Sequence, residues 1–132
     1  RIKYMVGFNL RLYFVVTQGR LKVTDLNSGK VIESSLQPAS HPRTPIGNFE
    51  KLEEIFAQAI KEIGGKSFFR PSPVVYLHLL DEIEGGYTQI EVRAFKEAAL
   101  GGGAREIFMP ESRTILTVQQ LLAKDFFELD DA

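Results

Sequence analysis

The first third of the chain carries three short segments rich in apolar and β-branched residues, each separated from the next by turn residues. Leu12–Thr17 is almost wholly apolar, Leu21–Leu26 alternates apolar with polar residues, and Lys30–Ser34 is a third short segment. Gln18-Gly19 and Asn27-Ser28-Gly29 stand between them and are typical of tight turns. The pattern predicts an antiparallel meander of three strands.

The hydrophobic period then changes to that of a helix. Leu36–Asn48 contains three prolines together with Ser and Gly, which predicts an irregular loop. Apolar residues in Phe49–Ile63 recur at spacings of three and four, so they form one stripe along a helix. Asn48 is suited to cap the start of this helix, and Gly64-Gly65 to end it.

A second helix is predicted by its capping pattern. Thr88 followed by Glu91 is a capping box, and the helix that it opens is expected to end at Gly101. The glycines that follow are better explained by helix termination than by a phosphate-binding loop, because such a loop precedes its helix. The residues expected to face the sheet, small enough for close approach, are Ile90, Ala94 and Ala98.

Two strands and a third helix complete the pattern. Val74–Leu80 is nearly all apolar, as expected of a strand covered on both faces. Glu106–Met109 predicts a short fifth strand, stopped by the following proline. Thr117 is suited to cap a helix running through Phe126, and the acidic tail Glu128–Ala132 is expected to fray.

The predicted elements therefore run in the order βββαβαβα. Three meander strands followed by two crossover strands indicate an α/β fold, with a five-stranded mixed sheet, three helices and right-handed parallel connections. This is the order of ribonuclease H-like folds, which also forms each half of the actin fold. At 132 residues the chain fits a single domain, residues 1–132.

Composition limits the classes of function. The formal net charge of −1 and the dispersed lysines and arginines give no general attraction for nucleic acid. The absence of cysteine excludes disulfides and thiolate chemistry, and weakly favours the cytoplasm. The longest apolar runs are too short to span a bilayer, so we expect no membrane span. His78 is expected to be a structural histidine within its strand, and His41 has no nearby partner in sequence for a metal site.

Residues 67–109 resemble the strand–helix–strand segment of the MreB family of bacterial actin-like shape proteins. The resemblance implies one half of an actin-like fold, a subdomain of the MreB type. It also connects the chain with cell-shape control. The pieces that carry the resemblance are Phe69-Arg70-Pro71-Ser72-Pro73, Thr88-Gln89-Ile90-Glu91 and Gly103-Ala104-Arg105-Glu106-Ile107-Phe108.

The nucleotide-binding motifs that the resemblance implies are not found in this sequence. The resemblance implies an Asp-x-Gly-Thr turn after the first strand, but residues 12–19 contain no Asp and no Gly-Thr pair. A Glu-Glu-Pro stretch is expected after the fifth strand, and only Glu111 falls near it. These 132 residues also hold no counterpart of the second half of the cleft. We therefore expect no catalytic residue, no metal site, no cofactor and no enzymatic activity.

The acidic segment before the second helix is similar to proteins of the YjaA type, which are small, stand-alone and linked to stress responses. That resemblance uses the Glu84–Glu91 segment and the Asp25-Leu26 pair, and it is collinear over nearly the whole chain. Together the two resemblances imply a protein that binds another protein in cell-shape control or stress response, as a monomer or small homo-oligomer.

The candidate partner-binding residues are Asp81, Glu82, Glu84 and Tyr87, which follow the apolar strand. An exposed aromatic with an acidic rim is suited to bind a basic segment. The same carboxylates are also consistent with a solvated loop or with oxygen ligands of a cation, and Tyr87 with packing at the start of the next helix. The alternative function is a small enzyme or cofactor-binding protein with its site at the carboxyl ends of strands one, four and five.

Overall fold

A mixed sheet of five strands forms the centre of the molecule. The computed structural model describes residues 10–39, 48–64, 72–81 and 86–129. The elements in chain order are β1 (Arg11–Thr17), β2 (Arg20–Asp25), β3 (Val31–Ser35), α1 (Phe49–Ile63), β4 (Val74–Leu79), α2 (Gln89–Gly101), β5 (Glu106–Phe108), β6 (Pro110–Glu111), α3 (Val118–Leu122) and β7 (Phe127–Glu128).

The strands lie in the order β3-β2-β1-β4-β5. β1 pairs antiparallel with β2, and β2 with β3, as the meander predicted. β4 pairs parallel with β1 on one side and with β5 on the other. The expected α/β architecture, a five-stranded mixed sheet with three helices, is confirmed.

One face of the sheet packs against α1 and α2. Alternate residues of β1, including Leu12 and Phe14, point to this side because successive side chains of a strand face opposite ways. The ring of Phe56 on α1 meets Phe14 edge to face at 5.3 Å, and it also stacks at 6.4 Å on Phe95 of α2. These aromatic contacts join the sheet to both helices in the larger core.

The other face is covered by the C-terminal segment. Tyr13 of β1 and Tyr76 of β4 lie in a second buried cluster with Leu116 and Leu121. Tyr76 stacks on Phe108 at 5.6 Å. β1 and β4 are therefore buried on both faces, which explains why their sequences are almost continuously apolar.

The predicted helix caps are confirmed. The Asn48 side chain accepts a hydrogen bond from the Lys51 N–H, and α1 ends at Ile63 with Gly64 as its C-terminal cap. Capping boxes form at the starts of the other two helices. Thr88 pairs with Glu91 at the start of α2, and Thr117 pairs with Gln120 at the start of α3.

The expected buried face of α2 is partly wrong. Ala98 is buried, but Ile90 is 80% exposed and Ala94 is only partly covered. The face that enters the core is rotated, because the large apolar side chains Val92 and Phe95 bury more area than the small residues. Its buried residues are Val92, Phe95, Ala98 and Ala99.

The end of the chain also differs from the expectation. α3 ends at Leu122, and Lys124 adopts a positive φ of 56° that turns the backbone away from the helix. Phe126 then packs edge to face on Tyr76 at 6.2 Å, and Phe127–Glu128 pairs with Pro110–Glu111 as a two-stranded ribbon. The helix through Phe126 and the fraying from residue 128 were therefore wrong. Residues 130–132 lie outside the described residues.

The proline-rich connection is only partly within the structure. Gln37–Ala39 forms a single 3-10 turn after β3, in place of a fully irregular loop. The backbone N–H of Asn48 donates to the Ala39 carbonyl at 3.0 Å, so the two ends of the connection meet. Residues 40–47, with His41, lie outside the described residues.

The helices α1 and α2 approach closely at the C-terminal end of α2. A Cβ placed on Gly102 would lie 3.0 Å from the backbone nitrogen of Ala57 on α1. A Cβ on Gly101 would instead meet the Glu53 carboxylate, the mobile end of a long side chain. The two neighbouring glycines therefore differ in what a methyl group would displace.

We expect Gly102→Ala to lower the free energy of unfolding by about 1–2 kcal/mol, because the backbone of α1 must move to admit the methyl group. Gly101→Ala is the matched control. It should be neutral within about 0.5 kcal/mol, since the Glu53 side chain rotates away and alanine favours the helix. Urea denaturation of the two variants measures the difference, and an equal loss in both would contradict the backbone contact.

Candidate functional site

The carboxyl ends of the parallel strands β1 and β4 lie side by side. Val16 is paired with Leu79, so the turn after β1 is adjacent to the residues that follow β4. Gln18 and Gly19 both have positive φ angles, 53° and 72°, which is the geometry of a two-residue hairpin turn between β1 and β2. Open α/β sheets place their binding sites at this edge.

Asp81 joins the two strand ends through its carboxylate. Oδ1 accepts the backbone N–H of Gln18 at 2.7 Å and the hydroxyl of Thr17 at 3.0 Å. Oδ2 accepts the hydroxyl of Tyr87 at 3.4 Å. The half-buried carboxylate therefore accepts three hydrogen bonds from donors of this chain itself.

Tyr87 is not the exposed aromatic that the sequence predicted. Its side chain is half-buried, packs against the larger core, and meets Phe95 of α2 edge to face at 6.0 Å. Burial raises the pKa of Tyr87, and the neighbouring Asp81 carboxylate raises this pKa further, so the hydroxyl stays protonated as a donor. Packing at the start of the following helix, the other role considered for this residue, agrees with these contacts.

The four candidate residues are thus divided by the structure. Asp81 and Tyr87 lie together and bond to each other, while Glu82 and Glu84 lie outside the described residues. Glu111 is exposed on the short strand β6, where its register partner is Phe127. Within the described ranges, no group of three or more His, Asp or Glu side chains is arranged to hold a metal ion.

A buried polar network lies on the opposite face of the sheet. His78 is fully buried in β4, as a structural histidine was predicted to be. Its Nε2 lies 2.9 Å from the carbonyl oxygen of Ser112, and its Nδ1 lies 2.6 Å from the hydroxyl oxygen of Tyr13. The same Tyr13 hydroxyl accepts the backbone N–H of Leu116 at 3.1 Å. The network connects β1, β4 and the C-terminal segment.

The partners assign the proton of the imidazole ring. A carbonyl oxygen only accepts, so Nε2 carries the hydrogen and donates to Ser112, which leaves Nδ1 to accept from Tyr13. Burial lowers the pKa of His78, although the Ser112 carbonyl acts in the opposite direction. Burial also raises the pKa of Tyr13. Both groups are therefore neutral. Both ring nitrogens of His78 and the hydroxyl of Tyr13 are engaged in hydrogen bonds within the fold.

A groove that the sequence did not reveal lies between the two long helices. It has a volume of about 640 Å³ and is formed by Phe49 at the start of α1 and by the outer side of α2, including Ile90 and Arg93. The sequence pattern placed Ile90 on the buried face of α2, whereas the structure exposes it. The groove was therefore not predicted. Asp81 is not among the described residues that line this groove.

Comparison with known proteins gives a partial match. A segment of 66 residues, half of this chain, is 39% identical to the cell shape-determining protein MreB of Pasteurella multocida and of Haemophilus influenzae. A segment of 66 residues is also 41% identical to the cell shape-determining protein MreB of Escherichia coli. Half of this chain is similar to MreB.

The match has a limited extent. The matched segment covers 18% of the length of each of these MreB proteins, so the chain spans less than a fifth of the curated relatives that it matches. No family model matches the chain. The identity supports an MreB-like segment within an α/β fold. In the described part of the chain, no helix has the length and apolar character needed to cross a membrane.

The buried histidine predicts a pH dependence of stability. The pKa of His78 is lowered in the folded state from its usual 6.5, so the unfolded chain binds more protons as the pH falls. The stabilisation is complete above pH 6.5 and is lost progressively as the pH falls toward the folded pKa. We expect the free energy of unfolding to decrease between pH 7 and about pH 5 in urea titrations, and His78→Gln to flatten that slope. His41→Gln is the matched control, and an unchanged slope in His78→Gln would refute the assignment.

Truncation of Tyr87 tests its packing role. We expect Tyr87→Ala to lower the free energy of unfolding by about 1.5–3 kcal/mol, because a half-buried ring leaves its contact with Phe95. Tyr87→Phe keeps the ring and loses only the long hydrogen bond to Asp81, so it should cost less than about 1 kcal/mol. Chemical denaturation compares the two variants. If Tyr87→Ala left the free energy of unfolding unchanged, the packing role would be contradicted. The ring would then again be a candidate anchor for a partner protein.

Proposed function

We propose that this chain is an actin-like half-domain, with ribonuclease H-like topology, that binds another protein in cell-shape control and catalyses no reaction. The observation that carries the proposal is the identity of about 40% over 66 residues with the cell shape-determining protein MreB. The sheet order β3-β2-β1-β4-β5, with parallel pairing of the last three strands, is consistent with such a half-domain.

The contacts of Asp81 support the absence of nucleotide chemistry. The turn after β1 is where the resemblance to actin-like proteins would place phosphate groups. Here its Gln18 N–H and Thr17 hydroxyl donate to a carboxylate of the same chain. An approaching phosphate would have to displace that carboxylate and would be repelled by its charge. The Asp81 carboxylate, an anion of this chain, therefore lies where the resemblance would place a phosphate group.

The alternative of an enzyme or cofactor-binding site at the carboxyl ends of strands one, four and five is weaker for the same reason. The polar groups that meet there, Thr17, Gln18, Asp81 and Tyr87, already bond to one another. A binding site requires donors or acceptors that are open to the ligand. A role in stress response, as in YjaA-type proteins, depends on the collinear sequence motifs alone and stays a prediction.

The partner is another protein, and self-association into a small homo-oligomer is a further possibility that the proposal retains. Of the candidate partner-binding residues, Asp81 and Tyr87 have structural contacts, so a binding role for this segment depends on Glu82 and Glu84. The appropriate variant is therefore the double charge reversal Glu82→Lys and Glu84→Lys, which changes neither Asp81 nor Tyr87.

The nucleotide part of the proposal has a direct test. We expect no saturable change in the melting temperature with Mg-ATP up to the millimolar range, and no release of phosphate. A ligand present at ten times its Kd stabilises the native state by about 1.4 kcal/mol, which a thermal shift detects.

Asp81→Asn is the matched variant, because it keeps the acceptor oxygen and removes the charge. We expect it to be equally unresponsive, since a single turn N–H does not form a phosphate cradle. Saturable stabilisation of the native protein by Mg-ATP would overturn the non-enzymatic reading.

A further inference from the structure

Residues 112–126 form a strap that crosses one face of the sheet between two neighbouring points. The strap begins after β6 and ends before β7, and these two short strands pair with each other, Glu111 with Phe127. The Leu129 N–H also donates to the Met109 carbonyl at 3.0 Å, which fastens the same place. The strap is therefore a loop whose two ends are held together, as in an Ω-loop.

The strap has little apolar attachment to the sheet. Leu116 and Leu121 are buried and Phe126 is partly buried in the second cluster, which also contains Tyr13 and Tyr76. Leu121 is the one buried residue of α3. Among the described residues, none from the strap belongs to the larger core under α1 and α2. A segment with few buried side chains opens more readily than a core does, so the strap is suited to detach on its own.

The polar attachments of the strap meet at the buried pair of Tyr13 and His78. The Leu116 N–H donates to the Tyr13 hydroxyl at 3.1 Å, and this hydroxyl donates to His78 Nδ1 at 2.6 Å. His78 Nε2 then donates to the Ser112 carbonyl at 2.9 Å. The result is one chain of hydrogen bonds that begins and ends on the strap. The chain requires a neutral imidazole, because Nδ1 must accept.

Protonation of His78 reverses one link of this chain. The ring then donates at both nitrogens, so the Tyr13 hydroxyl loses its acceptor and meets two donors, the ring N–H and the Leu116 N–H. The positive charge would also lie on a fully buried side chain, where an unpaired charge is strongly disfavoured. Opening of the strap returns the imidazole to water and removes both costs.

No carboxylate among the described residues bonds to the imidazole to compensate that charge. The register of the sheet places charged residues of four strands on the same face as His78, namely Arg11, Arg20, Lys22, Glu33 and Glu106. The segments next to this face add Asp81, Glu111, Arg113, Lys124, Asp125 and Glu128. None of these side chains is buried, so the solvent screens them from the ring.

We propose that the strap is a pH-controlled cover, which protonation of His78 releases from the sheet while α1 and α2 stay packed. The trigger is a histidine, the side chain whose charge changes closest to neutral pH. Release uncovers an apolar face whose buried residues are Tyr13, Val15, Val74 and Tyr76. The inference goes beyond the proposed protein-binding function and does not depend on it.

The direction of the pH effect follows from where the proton binds more tightly. In the closed form, burial lowers the pKa of His78 below its usual 6.5, whereas in the open form the ring is in water. The open form therefore takes up a proton that the closed form does not. Opening increases as the pH falls below 6.5, by at most about tenfold per pH unit for one proton. The increase stops below the pKa of the closed form.

Hydrogen exchange of the native protein tests the proposal between about pH 7 and about pH 5, after correction for the intrinsic effect of pH on amide exchange. We expect the amides of the strap, Leu116 and Leu121 among them, to lose protection as the pH falls, while the amides of α1 and α2 keep theirs. If the helices lost protection together with the strap, the opening would be global and the proposal would be overturned. Equal protection of the strap at both pH values would also overturn it.

His78→Gln tests whether His78 is the trigger. Glutamine does not titrate, so we expect the pH dependence of strap exchange to disappear, whatever the protection of the strap at neutral pH. His41→Gln is the matched control and should keep the native pH dependence. A pH dependence that persists in His78→Gln would assign the trigger to another group and overturn the proposal.

Tyr13→Phe tests the hydrogen-bond chain at neutral pH. We expect trypsin to cleave after Arg113 and Lys124, both within the strap, about tenfold faster than in the native protein, because the open population rises when the hydroxyl is lost. Tyr76→Phe is the matched control, since it removes a hydroxyl from the same face and keeps the ring that stacks on Phe108.

The position of the first cleavage distinguishes local from global opening. The basic residues of the two long helices, Lys51, Lys61, Arg93 and Lys96, should stay uncut in the first products of Tyr13→Phe. Native rates of cleavage in the strap of Tyr13→Phe, or first cleavage within α1 or α2, would contradict the cover. The exchange measurement uses the native protein, so the proposal is tested even if Tyr13→Phe does not fold.

Discussion

The parallel pairing of β1 with β4 is the interaction on which the rest of the structure depends. Both strands are buried on both faces, so each separates the helical core from the cluster beneath the C-terminal segment. Phe14 points to α1 and α2, whereas Tyr13, the next residue back, bonds to His78 on the other side. A change in this register by one residue would move every side chain of β1 to the wrong core.

The same pairing also brings polar groups together at the carboxyl edge, where they satisfy one another. Asp81 accepts hydrogen bonds from Thr17 and Gln18 across the β1–β4 junction, and a longer hydrogen bond from Tyr87. A cleft that binds a ligand keeps such groups open until the ligand arrives. In this chain the described groups at that edge already bond to one another.

The order of elements was predictable because local signals and burial agreed. Continuous apolar runs mark Val74–Leu79, and side-chain caps mark the starts of α1 and α2, since each cap satisfies backbone groups within a few residues. The end of the chain was less predictable. Phe126 leaves the helical pattern because Tyr76, distant in sequence, supplies a better apolar contact than another helical turn would.

The sequence by itself determined the fold class, the helix starts and the burial of His78, because these depend on periodicity and neighbouring residues. Only the tertiary structure decided the contacts of Asp81 and Tyr87. Tyr87 reads in the sequence as an exposed aromatic, and becomes a packed one because α2 presents Phe95 to its ring. Asp81 reads as part of an acidic loop, and becomes an internal acceptor because β1 ends beside it. Charge and size are properties of a residue, but exposure and hydrogen-bond partners are properties of its neighbours in space.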